Sequence, residues 1–122
     1  MTRVVMMDID GTLMDTNYLH VEAWARAFAG LGVHAPRVEI HKQVGRGSEQ
    51  LIREFVEDEK AVHRASELHT EFYGELQKYG YPLPGARELI ADLSNNGYEL
   101  WFVTSTKPEE LENHQKQLES EG

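Results

Sequence analysis

The chain has 122 residues, with twelve Lys and Arg against twenty-one Asp and Glu, no Cys, and a formal net charge of −9. That length holds one domain, or one small domain carrying an insertion, and it can bury a real core. The lack of Cys excludes disulfides, zinc-thiolate sites and thiol nucleophiles. The acidic balance argues against nucleic acid or an anionic membrane surface as partner, and the longest apolar runs fall far short of the ~20 residues of a membrane span. The opening MTRVVMMDID reads as neither a secretory signal nor a transit peptide, so a soluble cytoplasmic protein is expected.

Arg3-Val4-Val5-Met6-Met7 is a short apolar run that stops at acids and Gly11, the pattern of a buried parallel strand. Val21, Trp24, Phe28 and Leu31 recur at helical spacing over 17–31, and Gly30 and Gly32 close that pattern. After a break at Pro36, a short helix is expected over 37–43, then a loop from Val44 to Ser48. Ser48 is positioned to cap a helix whose apolar face is Leu51, Ile52, Phe55 and Val56. Ala61, Ala65, Leu68, Phe72, Leu76 and Tyr79 form the stripe of a longer helix, and Glu57 to Lys60 reads as its solvated end. Gly80, Pro82, Pro84 and Gly85 mark a linker. Ala86, Leu89, Ile90 and Leu93 then form a helix face ending at Asn96-Gly97.

Tyr98 to Val103 is a second apolar run and a second expected strand, with Trp101, like Trp24, read as core. Thr106 to Glu109 resembles a capping box for a weak last helix in which only Leu118 is apolar beyond Glu112. Strands followed by polar turns that open onto helices give an α/β fold, with ligands expected at the carboxyl ends of the strands.

Asp8-Ile9-Asp10-Gly11-Thr12-Leu13 carries the chemistry. Residues i and i+2 of a strand point to the same side, so Asp8 and Asp10 can face one site. Two close carboxylates repel unless a cation lies between them, and Mg²⁺ suits oxygen-only ligands. Gly11 permits a tight turn that would leave main-chain N–H groups to face an anion. A carboxylate can also accept a phosphoryl group as nucleophile. On spacing alone, two solvated acids in a turn remain the simpler reading.

A buried strand leading into DIDGTL, with Asp15-Thr16 just after, resembles the first motif of the haloacid dehalogenase superfamily of phosphohydrolases. Leu100 to Ser105 is similar to its second motif, an apolar strand ending in Thr or Ser. The stretch from Leu83-Pro84-Gly85-Ala86 to Asn96-Gly97 resembles the segment leading into that motif. Val44 to Ile52 is similar to the cap loop of the phosphoglycolate-phosphatase-like branch, and His20 and Trp24 sit as in the β-phosphoglucomutase-like branch.

The resemblance implies a Rossmann-like α/β core with an incomplete parallel sheet, at 1–15 and 81–122, and an inserted helical cap at 16–80. It implies Mg²⁺ at Asp8 and Asp10, with Asp8 as nucleophile and Asp10 as general acid and base. Gly11, Thr12, Thr104, Ser105 and Lys107 would bind phosphate, with Arg46 and His20 as substrate contacts from the cap. The substrate class would be a small phosphorylated metabolite. For Lys107 and His20 the plain reading, a solvent-facing residue and a polar helix face, stays open.

Full-length members continue with strands bearing a lysine motif and an acidic motif, and no apolar run beyond Val103 supplies them here. The 122-residue chain alone is therefore expected to be weakly active or inactive, and, because its sheet is incomplete, to associate with another copy, be partly disordered or rely on the cap helices for order. A non-catalytic interaction module is the alternative of a different class, and a sugar-phosphate mutase a lesser one motivated by His20.

Overall fold

Arg3–Met7 forms strand β1 and Tyr98–Phe102 forms strand β2. Between them lie helices α1 (Asn17–Gly30), α2 (Arg37–Lys42), α3 (Ser48–Arg53), α4 (Glu59–Leu76) and α5 (Ala86–Asn95), with a 3-10 turn at Gln77–Tyr79. This computed structural model describes residues 3–103, 112 and 115–118. The expected capping box at Thr106 lies outside them. The chain divides into two compact units, Met1–Thr16 with Gly80–Gly122, and Asn17–Tyr79.

In the first unit β1 and β2 pair in parallel, from Arg3 opposite Tyr98 to Met7 opposite Phe102. Alternation along each strand sends Val5, Met7, Leu100 and Phe102 to one face. There they pack with Ile9, Leu13, Met14, Ala86, Ile90, Leu93 and Leu118. Leu118, the one apolar side chain expected in the last segment, is fully buried and anchors it. Arg87 Nε donates to the Gln117 carbonyl at 3.0 Å, and Gln117 Nε2 donates to the Gly80 carbonyl at 2.9 Å.

The opposite face carries Val4, Met6, Trp101 and Val103, all exposed. Both runs read as strands covered on two sides, and among the described residues only one side is covered. Trp101 is accordingly a surface residue rather than core, whereas Trp24 is buried.

The second unit is helical. Val21, Trp24, Ala25 and Phe28 of α1 meet Val62, Ala65 and Leu68 of α4, with Ile40, Leu51, Ile52 and Val56 closing the core. A second cluster joins Ala23 to Tyr73 and Leu76. The buried row on α4 runs through His69 and Tyr73 instead of Phe72 and Tyr79, because those two rings stack against α1. Gly32 adopts φ 76°, which lets the chain reverse after α1 while Val33 N–H still reaches the Phe28 carbonyl at 2.9 Å.

Two end assignments differ from expectation. Gly47, not Ser48, occupies the N-cap of α3 and makes no side-chain cap bond. Asp58 is more than a solvated acid: its carboxylate accepts from Ala61 N–H at 3.1 Å and caps α4.

One charge cluster on this unit gathers at Glu22. Arg37 donates to both of its oxygens, at 2.7 and 2.8 Å, and Arg26 Nε donates at 3.0 Å. The Arg37 bonds hold the Glu22 carboxyl at about 2, against the usual 4.5, although partial burial pulls the other way. A depressed carboxyl stabilises the folded state fully above its unfolded value. That contribution fades as pH falls through 4.5 toward 2. Glu22→Gln should lower the thermal midpoint modestly at pH 7, as expected of a surface pair, with the gap to the native chain closing near pH 2 in parallel melts. An equal gap at both pH values would contradict this assignment.

Candidate active site

The hydrophobic face of β1 places Asp8 immediately beyond the last strand residue, at the carboxyl end. Asp8 is exposed, Ile9 is fully buried and Asp10 is half-buried, so the in–out alternation of β1 continues for three residues past the strand. Ile9 anchors the turn: its carbonyl accepts from Thr12, Leu13 and Met14 N–H at 3.2, 2.9 and 2.9 Å. Gly11 sits at φ 76°, a conformation glycine adopts without steric cost, and its N–H donates to the Met14 carbonyl at 2.8 Å. The N–H groups of residues 11 to 14 are thus all engaged inside the loop. Gly11 and Thr12 do not hold open amides toward an anion in this geometry, contrary to the expectation drawn from the glycine.

The two carboxylates are held differently. Asp8 Oδ1 accepts from Ile9 N–H at 2.8 Å. Asp10 Oδ1 accepts a short hydrogen bond from the Thr16 hydroxyl, and Thr16 is fully buried. Thr16 was read only as part of the motif's flank. Its side chain holds one oxygen of Asp10, a role that a hydroxyl six residues beyond an acid does not announce in sequence. The loop is tied to the linker as well: Asp15 N–H donates to the Tyr81 carbonyl and Leu83 N–H to the Leu13 carbonyl, both at 2.8 Å.

The parallel register sets what lies beside Asp8. Val103 N–H donates to the Met7 carbonyl at 2.8 Å, so the residue before Thr104 is bonded to the residue before Asp8. Thr104, Ser105 and Lys107 themselves lie outside the described residues.

Arg46 and His20 belong to the helical unit. Arg46 is already paired, its guanidinium donating to Glu54 Oε1 at 2.8 Å and to the Gln43 side chain. His20 Nδ1 and His69 Nε2 lie 3.1 Å apart, with ring centroids 5.3 Å apart and planes within 18°. That is an edge-to-edge N–H···N bond in which one ring donates and the other accepts. Tyr73 stacks on His20 and Trp24 on His69, each at 3.9 Å. In sequence His69 shows no metal-ligand spacing with acids, and the 49 residues between it and His20 hide the pairing.

The donor set at the strand end is two carboxylates and carbonyl oxygens. Among the described residues no group of three or more His, Cys, Asp or Glu converges on one point. Oxygen donors of this kind suit a hard cation that keeps several waters, as Mg²⁺ does.

Comparison with known proteins agrees with this architecture. The sequence profile of haloacid dehalogenase-like hydrolases matches residues 2–121, and the chain belongs to that family. It is 31% identical to the protein CbbY of Cupriavidus necator over 90% of this chain and 50% of that protein. It is 32% identical to a phosphoglycolate phosphatase of the same organism, over 88% and 49% respectively. The crystal structure of a hydrolase from Pseudomonas syringae superposes with a TM-score of 0.88 at 26% identity, covering 98% of this chain and 57% of that one. The chain thus spans about half the length of the relatives it matches.

If Thr16 fixes Asp10, Thr16→Val should cost about 1–3 kcal/mol by urea denaturation, because it leaves an acid oxygen without its buried donor. Thr16→Ser should retain most of the stability. Equal losses in both would assign Thr16 a packing role only.

Proposed function

We propose that this chain carries the nucleophile-bearing half of a Mg²⁺-dependent hydrolase of small phosphomonoesters. The observation that carries the reading is the β1–β2 register, which brings the strand end before Thr104 beside the strand end before Asp8. Family membership supports it, as do relatives named phosphoglycolate phosphatase and, in Streptomyces hygroscopicus, validoxylamine A 7'-phosphate phosphatase at 30% identity.

In this reading an Asp8 oxygen attacks phosphorus, and the bond from phosphorus to the ester oxygen breaks as Asp10 gives that oxygen its proton. Asp10, now ionised, takes a proton from water, which attacks the aspartyl-phosphate at phosphorus. Inorganic phosphate leaves and Asp8 is restored. Thr16 keeps Asp10 in one rotamer through both steps. The Thr104 hydroxyl and Ser105 N–H bind the phosphate oxygens, and Lys107 adds positive charge. The Asp8 carboxylate and the Asp10 backbone carbonyl would hold Mg²⁺, which would supply positive charge between carboxylate and phosphate. The helical unit acts as cap, with His20 as a contact held by His69. Arg46 contacts a distal anion only by exchanging Glu54 for substrate.

The open sheet face favours a second reading for the isolated chain, a binding module without turnover. Loss of one preorganised charge from such a site costs about 10²–10³ in rate. With Mg²⁺ and an aryl phosphate, the 122-residue chain should therefore run at least about a hundredfold below a full-length relative. Asp8→Asn should abolish that residue of activity and remove any phosphate found on the protein by mass spectrometry. Turnover untouched by Asp8→Asn would sink the assignment.

A further inference from the structure

The turn that joins α5 to β2 is Asn96-Gly97, the one Asn-Gly pair in the sequence, and both residues are exposed. Glycine has no side chain to shield its own amide nitrogen, so the carboxamide of a preceding Asn can be attacked from the backbone. Here the fold commits both reacting groups elsewhere. Asn96 Nδ2 donates to the Asp92 carbonyl at 2.7 Å and lies 3.5 Å from Asp92 Oδ1, which turns the carboxamide back over the last turn of α5. Gly97, at φ 82°, donates its N–H to the Ser94 carbonyl at 3.1 Å. Attack requires both bonds to open.

We propose that Asn96 is a site of spontaneous covalent modification, deamidation through a succinimide, which the α5–β2 turn holds in check. When the turn opens, Gly97 N gives its proton to water and bonds to Asn96 Cγ. The Cγ–Nδ2 bond breaks and ammonia leaves. Water then opens the ring. Cleavage at the side-chain carbonyl leaves aspartate at position 96. Cleavage at the main-chain carbonyl leaves isoaspartate, in which the chain runs through Cβ and Cγ and is one carbon longer.

Both products act on β2. Tyr98 follows Gly97 directly and opens the ladder opposite Arg3. An added backbone carbon therefore has no loop to absorb it, and it displaces the strand whose far end precedes Thr104. Aspartate keeps the chain length but loses the donor to the Asp92 carbonyl. It also sets a carboxylate one helical turn from that of Asp92, a like-charge pair. None of this depends on the catalytic reading.

The test incubates the 122-residue chain in mildly alkaline buffer with and without concentrated urea. Peptide mapping by mass spectrometry follows the amide-to-acid mass gain, and enzymatic methylation detects isoaspartate. Conversion is expected in urea and at least about tenfold slower in the folded chain. The slowing should match the hydrogen-exchange protection of the Gly97 amide, because both processes need the same opening. Asn96→Ala, at an exposed position, should remove the mass gain from its peptide in both solutions. The purified isoaspartyl chain should melt below the native one. Equal rates in the two solutions, or no conversion in urea, would overturn the proposal. So would slowing unrelated to Gly97 protection, a mass gain that survives Asn96→Ala, or an unchanged midpoint in the isoaspartyl chain.

Discussion

One backbone hydrogen bond organises the first unit: Val103 N–H to the Met7 carbonyl at 2.8 Å. It is the last rung of a parallel ladder in which residues 3–7 face residues 98–102. Parallel pairing forces both strands to end on the same side, and connections between parallel strands must cross over. Here the crossover contains the whole helical unit and α5. Because the rung closes at Met7, the first residue free of the ladder on β1 is Asp8, an acid. The register therefore decides which side chains gather at the strand ends, before any of them has done chemistry.

The turn after β1 shows how that position is stiffened. Ile9 is driven into the core by the same alternation that puts Asp8 outside, and its carbonyl collects three N–H donors. The cost is that the loop's amides are used internally. The loop presents carboxylate oxygen, which suits a hard cation. In the helical unit the polar side chains are similarly committed to one another, Arg46 to Glu54 and His20 to His69. A binding role for either includes the exchange of a partner already in place.

The elements were largely legible in sequence because each rests on a local pattern. Apolar runs stopped by acids or by Asn96-Gly97 mark both strands, and three-four spacing marks α1, α4 and α5. What was illegible depends on partners that no local period announces. Alternation says that Trp101 and Leu100 lie on opposite faces, but not which face a helix covers, and Trp101 proved exposed. The Thr16–Asp10 bond, the histidine pair and the Arg46–Glu54 pair are all set by tertiary placement. Gly47 displaced Ser48 at the N-cap by a single residue, the scale on which helix ends are decided by backbone geometry rather than by residue preference. Asp8 and Asp10 were found as a pair because their spacing matches the strand period. Thr16, which holds one of them, follows no such period.

The most direct measurement is a crystal structure of the chain grown with Mg²⁺ and beryllium trifluoride, a mimic of a transferred phosphoryl group. The expected result is beryllium bonded to a carboxylate oxygen of Asp8, with the Thr104 hydroxyl in contact with a fluorine and Asp10 still held by Thr16. Fluoride bound away from Asp8, or Asp8 and Asp10 turned to opposite sides of the turn, would contradict it.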